Sequence, residues 1–445
     1  MDASSLRELG LDLMDGRQFL RALGVFGEAV HRLPEDHRAR MLAARCYVEL
    51  GERERAVLVL QACAEGLLRR DYLLSAMAAC KLALDLNPHE KMVKETLRKV
   101  HGRAMRAAVG RATVPPPLPV ASATSDLVTE DLMALQGSEV AERALEILIT
   151  PDLGRTADPE ARPPLPLFAD LSEDAFVELV VGMEYRTLTE GVKITEEGMG
   201  GEALYVLVAG QADVSRHLGG EPRKLGVLGG GSMFGEVSLL TGTLPSATVT
   251  TRIATDIFEV KRELLNQLAK NHPTVPQVLA DFAQQRMARN LLATSPLFAP
   301  LPEAERASLL QHFHFRALVP NERALVEGEH SAGLFLVLAG ELMVQKEDPS
   351  GGVVSLGILH EGDVAGEIGL LTGLRATATV LATRKTATAF LPRAAFDELM
   401  KTFPRSREFL QTLSDRRLKQ IGEALRPPEV LDADELVLDA SSAEN

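Results

Sequence analysis

Gly231–Thr251 reads GSMFGEVSLLTGTLPSATVTT, and Gly362–Ala382 reads GDVAGEIGLLTGLRATATVLA. In each, a Gly-Glu pair (Gly235-Glu236 or Gly366-Glu367) opens a short run closed by Leu-Leu-Thr-Gly, and Ala-Thr-Val comes after it. The echo extends outward. PLFADLSEDAFVELV from Pro166 returns as PLFAPLPEAERASLL from Pro296, and LYVLVAGQADV from Leu204 as LFLVLAGELMV from Leu334, each 130 positions later. The Gly-Glu pairs lie 131 apart. Three ordered matches at nearly one period mark a tandem duplication, with units at 164–292 and 294–425.

Within each unit the pattern is helix, many short strands, then helix. LYVLVAG and LMVQKE are apolar runs bounded by turn residues. Gly-Gly, Asp-Pro-Ser-Gly-Gly and Glu-Gly-Asp mark turns between such runs. RELLNQLAKNHP and AAFDELMKTFP read as helices stopped by proline, each succeeded by a longer helical pattern. Evenly spaced short strands suggest a double-sheet jelly roll.

The front third differs. LRELGLDLM, RQFLRALGVFGEAVHRL and ARMLAARCYVELG carry apolar residues at helical spacing, punctuated by Gly16, Gly51, Pro34 and Pro88. Gly10, Leu13, Ala22, Phe26, Ala29 and Pro34 fit the offsets of a 34-residue helical repeat, and Ala44, Tyr47, Gly51 and Ala56 continue it. Residues 5–107 therefore resemble tetratricopeptide repeats, about two and a half of them, with Leu13 departing from the aromatic slot. The resemblance implies a groove for a protein partner; the plain alternative is a small helical cap.

Residues 112–163 read as a linker. ATVPPPLPVASATSD is Pro/Ala-rich, SEVAERALEILIT makes one short helix, and GRTADPEARPPLP is loose again. The front domain is thus expected to be tethered to the first duplicated unit, not fused to it. The fold class is multidomain α + β: N-terminal all-α helical repeats, then two β jelly-roll domains with flanking helices.

The chain has 445 residues, 46% of them hydrophobic, room for three domains. Its formal net charge of −14 argues against nucleic acid. Residues 1–111 nonetheless carry four more basic than acidic side chains. Cys46, Cys63 and Cys80 form no C-x-x-C pair and fit buried thiols in a reducing compartment. The start lacks a basic n-region and an apolar h-region, and no run approaches a membrane span, so a cytoplasmic location without membrane insertion is expected. No P-loop, kinase signature or Gly-x-Ser-x-Gly occurs, and His312, His314, His330 and His360 lack metal-ligand spacing. No catalysis, metal or cofactor is expected. Residues 426–445 form an acidic tail without a helix-turn-helix pattern, which argues against a transcription factor.

The two duplicated units resemble cyclic nucleotide-binding domains, the fold of catabolite-activator-type regulators and of the regulatory subunits of cyclic-nucleotide-dependent kinases. The resemblance covers about 260 residues and rests most on the Gly-Glu cassette. It implies that backbone N–H groups of a short helix meet the cyclic phosphate, that the glutamate accepts the ribose 2′-hydroxyl, and that an arginine nine residues later pairs with the phosphate. On this sequence it designates Gly235, Glu236, Val237, Ser246 and Ala247, and Gly366, Glu367, Ile368, Thr377 and Ala378. The arginine is missing: position nine is Pro245 in the first copy and Ala376 in the second. Arg375 stands one residue early; a loop adjustment turns it inward, whereas strand alternation turns it out. Losing the charge-assisted contact costs roughly 2–4 kcal/mol, about 30- to 1000-fold in affinity.

Two functions remain open. One is a signalling adaptor in which cyclic AMP, cyclic GMP or a related small anion is sensed by the jelly rolls and relayed to a protein held by residues 5–107. The other is a ligand-free scaffold in which Glu236 and Glu367 only cap their helices. No inhibitory Arg-Arg-x-Ser/Ala segment is visible in the linker.

Overall fold

The structure is a computed structural model that describes residues 1–107, 137–151, 166–201, 203–218, 221–294, 297–298, 312–348 and 351–424. The Pro/Ala-rich stretch, the loose joint before Pro166, most of the segment at 296–311 and the acidic tail lie outside the described residues. The chain divides into two compact units, Met1–Gln285 and Arg286–Asn445.

The first unit begins with six helices: α1 (Ala3–Asp15), α2 (Phe19–Arg32), α3 (His37–Glu49), α4 (Arg53–Arg69), α5 (Leu73–Leu86) and α6 (Lys91–Ala107). Each packs on the next. The small residues read from the sequence sit where helices cross. At Gly10 a Cβ would meet the Phe26 ring at 2.3 Å, so α1 and α2 approach this closely only with glycine there. Asp36 caps α3, its carboxylate accepting from the Ala39 N–H at 2.9 Å. Cys46, Cys63 and Cys80 are free thiols in this core. Burial pushes Cys46 and Cys63 up to about 12 and raises Cys80 as well.

Helix α7 (Ser138–Ile149) packs on α2 and α4. Then come α8 (Pro166–Ala169), α9 (Glu173–Gly182) and eight strands: β1 (Glu184–Leu188), β2 (Lys193–Thr195), β3 (Ala203–Ala209), β4 (Gln211–Leu218), β5 (Glu221–Gly229), β6 (Met233–Phe234), β7 (Thr248–Thr251) and β8 (Thr255–Lys261). They form two antiparallel four-stranded sheets, ordered β1-β8-β3-β6 and β2-β7-β4-β5. Helix α10 (Glu236–Thr241) lies between β6 and β7, and α11 (Arg262–Asn271) and α12 (Val275–Thr294) come after the sheets.

The expectation of a tethered front domain is corrected here. One hydrophobic core runs from Leu6 through Met77, Leu97 and Phe176 to Phe282. Buried Lys81 of α5 donates to the Val181 carbonyl at 3.0 Å. His101 of α6 meets the Leu171 carbonyl at 2.9 Å, and its ring lies 5.0 Å from that of Phe176. Arg98 pairs with Glu173 at 3.0 Å. The linker's length is irrelevant to this contact, because α5 and α6 meet α8 and α9 directly.

The second unit repeats the sandwich with β9 (His314–Leu318), β10 (Arg323–Leu325), β11 (Gly333–Ala339), β12 (Leu342–Glu347), β13 (Val353–Leu359), β14 (Val364–Ala365), β15 (Thr379–Ala382) and β16 (Thr386–Pro392). Its sheets, β9-β16-β11-β14 and β10-β15-β12-β13, have the first sandwich's order shifted by eight. Helix α13 (Glu367–Thr372) precedes β15, and α14 (Arg393–Thr402) and α15 (Pro404–Ala424) close the unit. Buried Ser406 donates to the Leu297 carbonyl at 2.9 Å, anchoring the start of α15.

Candidate functional site

Each Gly-Glu pair sits at the same turn, where a two-residue strand ends and a six-residue helix begins. Gly235 and Gly366 are left-handed, with φ of 86° and 95°. A Cβ at Gly235 would lie 2.4 Å from the Ala203 carbonyl oxygen; at Gly366 it would lie 2.8 Å from that of Gly333. Both the angle and the approach demand glycine. The adjoining glutamates are buried, Glu236 at 4% and Glu367 at 1% exposure.

In the second unit the cassette lines a cavity of about 320 Å³. Gly366, Glu367, Ile368, Thr377 and Ala378 all line it. Leu325, Val344, Leu359 and Val380 give it an apolar wall, and Arg416, Arg417, Gln420 and Ile421 of α15 close another side. Such a mix of apolar surface and a few converging polar groups suits a small ligand. Arg417 Nη1 donates to Glu367 Oε1 and to the Val364 carbonyl, both at 2.7 Å. The Glu367 carboxylate is thus neutralised by a guanidinium from the last helix.

Arg375 is exposed, does not line this cavity, and donates to the Gly328 carbonyl at 2.8 Å. Of the two orientations left open by its spacing, the outward one is observed. Ala376, in the arginine slot, does line the cavity. Lys346 lies behind Thr377, donating to its carbonyl at 2.8 Å and pairing with Glu327.

In the first unit Glu236 is buried, Val237 and Ala247 are half-buried, and Ser246 is exposed. Pro245 is buried, its Cδ 2.9 Å from where a Gly201 Cβ would stand. Phe234, next to the Gly-Glu pair, stacks on Tyr205 at 5.2 Å. In both units an arginine opens the helix after the last strand and reaches the cassette helix: Arg262 to the Ser238 carbonyl at 3.5 Å, Arg393 to that of Gly369 at 3.4 Å. Each arginine thus ties the helix after the last strand to its cassette helix.

Sequence reasoning missed Ser331, Arg416, Arg417, Gln420 and Ile421. One signal was there: Arg286 stands fifty residues after Glu236, as Arg417 stands fifty after Glu367.

Comparison with known proteins agrees with this architecture. A "Cyclic nucleotide-binding domain" profile matches residues 185–272 and 315–403, and a "Tetratricopeptide repeat" profile matches 13–80. A cAMP-dependent protein kinase regulatory subunit from Yarrowia lipolytica is 28% identical over 236 residues, 53% of this chain and 58% of that protein. That from Blastocladiella emersonii is 26% identical, over 53% of this chain and 56% of that protein. The chain thus spans about half the length of the curated relatives it matches. Similar solved structures include the regulatory domain of Toxoplasma gondii PKA with cAMP (24% identity, TM-score 0.29, 56% of this chain and 92% of that one). Another is the regulatory subunit of a cAMP-independent protein kinase A from Trypanosoma brucei (21%, 0.30, 58% and 91%).

Proposed function

We propose that this chain, which carries two cyclic nucleotide-binding domains behind a tetratricopeptide repeat, is a non-catalytic regulatory protein whose second domain senses a cyclic nucleotide or related small anion and relays it to a protein partner. The observation that carries this is the second-domain cavity, with buried Glu367 on its wall and α15 alongside. A ribose-like hydroxyl reaching Glu367 competes with Arg417 for the same carboxylate. Ligand entry then loosens the tie between cassette and α15, and the ligand's preference for the loosened state sets how far the helix shifts. The guanidinium released from Glu367 stays at the cavity and supplies a cation that the cassette itself lacks.

Isothermal titration with cyclic AMP and cyclic GMP tests this, repeated on Glu367→Gln, which keeps the shape and removes the charge. Micromolar heat in the native chain that the substitution abolishes supports a working sensor. The absence of heat at high micromolar ligand sinks it. A second reading, a ligand-free scaffold, is favoured by Pro245 and Ala376 in the arginine slots and by the outward Arg375. Under that reading Glu367 serves to hold Arg417 and α15 in place.

A further inference from the structure

Asp363, Glu367, Arg416 and Arg417 are the charged side chains that line the second-domain cavity. Three of them are already engaged. Glu367 is met by Arg417 at 2.7 Å, and the same Nη1 donates to the Val364 carbonyl. Asp363 turns back on its own loop, accepting from the His360 N–H at 2.8 Å. Arg416 differs: it is exposed, and among the described residues nothing accepts from its guanidinium. Its own helix offers no partner. Side chains on a helix meet those three and four positions away, which for Arg416 are Thr412, Leu413, Lys419 and Gln420. The adjoining acid, Asp415, accepts from Gln411 at 3.3 Å.

The cations around the cassette are engaged as well. Arg375 donates to the Gly328 carbonyl, Lys346 to the Thr377 carbonyl and to Glu327, and Arg393 to the Ser331 and Gly369 carbonyls. None of these three side chains lines the cavity. The cassette's part of the wall, Ala376, Thr377 and Ala378, is uncharged. The duplication sharpens the contrast. Arg417 has a counterpart in Arg286, 131 residues earlier, but at the same offset Arg416 stands where the first copy has Gln285. The added cation thus belongs to the copy whose cassette places Ala365 and Ala376 on a cavity wall.

We propose that Arg416 is the anion-recognising residue of the second domain, so that the ligand's negative charge is received by α15 and not by the cassette. The inference rests on the reading of this cavity as a sensor and names where the charge goes. The ligand it fits carries one compact anionic group, such as a cyclic phosphate, on an otherwise uncharged body. Arg417 becomes available only after a ligand hydroxyl has taken its place at Glu367, and it still has the Val364 carbonyl to hold it. Arg416 needs no such exchange and is open to an incoming charge. A guanidinium on a phosphate makes a charge-assisted contact about twice as strong as a neutral donor gives. Because this guanidinium belongs to α15, the ligand exchanges one tie to that helix for another: the bond from Glu367 to Arg417 gives way as the bond from the anion to Arg416 forms.

The test is titration calorimetry of the full chain with cyclic AMP and with adenosine, which lacks the phosphate, repeated on Arg416→Gln, which installs the first copy's side chain. The native chain is expected to bind cyclic AMP at least about tenfold more tightly than adenosine. The substitution is expected to weaken cyclic AMP by about tenfold and to leave adenosine within about twofold. Arg416→Lys, which keeps the charge, is expected to retain most of the difference. Added salt is expected to weaken cyclic AMP more in the native chain than in Arg416→Gln. Unchanged cyclic AMP binding in Arg416→Gln overturns the proposal and leaves the sensor reading standing. Equal losses for both ligands also overturn it, because the side chain would then act by shape and not by charge. A native chain that binds neither ligand overturns the sensor reading and this inference with it.

Discussion

The two cassettes are copies of one motif, yet they differ in how much room they leave. At two matched positions the first domain carries the bulkier residue, Phe234 for Ala365 and Pro245 for Ala376. Phe234 stacks on Tyr205, whereas its counterpart Ala365 lines the cavity. Pro245 packs tightly on Gly201, whereas Ala376 and Ser331 both line the cavity. The glycine turn and the buried glutamate are unchanged. The second copy thus holds a ligand-sized space on a strand order that the first copy shares.

The comparison is broken most forcefully by restoring the missing cation. Ala376→Arg is expected to tighten cyclic AMP by roughly 2–4 kcal/mol in titration calorimetry, because the side chain enters a cavity already formed. Pro245→Arg, placed against Gly201, is expected to give no comparable gain; equal gains in both domains would refute the difference in room. Next in size is Arg417→Ala, which leaves the Glu367 carboxylate buried without its partner. It is expected to lower second-unit stability by about 2–3 kcal/mol in urea denaturation. Gly235→Ala and Gly366→Ala force a Cβ into left-handed turns and onto carbonyls. Each should cost about 2 kcal/mol, the first more because its carbonyl is nearer. Smaller still, Thr377→Ala is expected to weaken ligand by about 1 kcal/mol, while exposed Ser246→Ala changes nothing measurable.

The smallest effect separates the repeats from the sandwiches. All three thiols lie in the helical core, and burial holds them protonated well above their usual range near 9. Since folding raises these values, the stability they contribute is complete below about pH 9 and declines as pH climbs toward 12. At pH 8 a thiol reagent should label Cys46, Cys63 and Cys80 only on unfolding; rapid labelling of the native chain would contradict their burial.

Much of the fold is legible in the sequence. The duplication, the two sandwiches and the Gly-Glu turns announce themselves because Gly235 and Gly366 are fixed by local backbone geometry, which short motifs record. The direction of Arg375 is not legible, since one residue of register decides it. Arg417 leaves one trace, an arginine fifty residues after each glutamate, which acquires meaning only once α15 is seen beside Glu367. The fusion of repeats and first sandwich is hidden for a different reason. Lys81, Arg98 and His101 look like ordinary repeat positions, and nothing in their spacing says that they reach Val181, Glu173 and Leu171.

That shared core has a consequence for anyone dissecting the molecule by deletion. Removing residues 1–107 strips α8 and α9 of their cover and leaves the Val181 and Leu171 carbonyls without Lys81 and His101. Loss of ligand binding in such a truncated chain would then report misfolding, not a direct role of the removed residues in the site. Roles can be separated here only by substitutions that leave the seam intact.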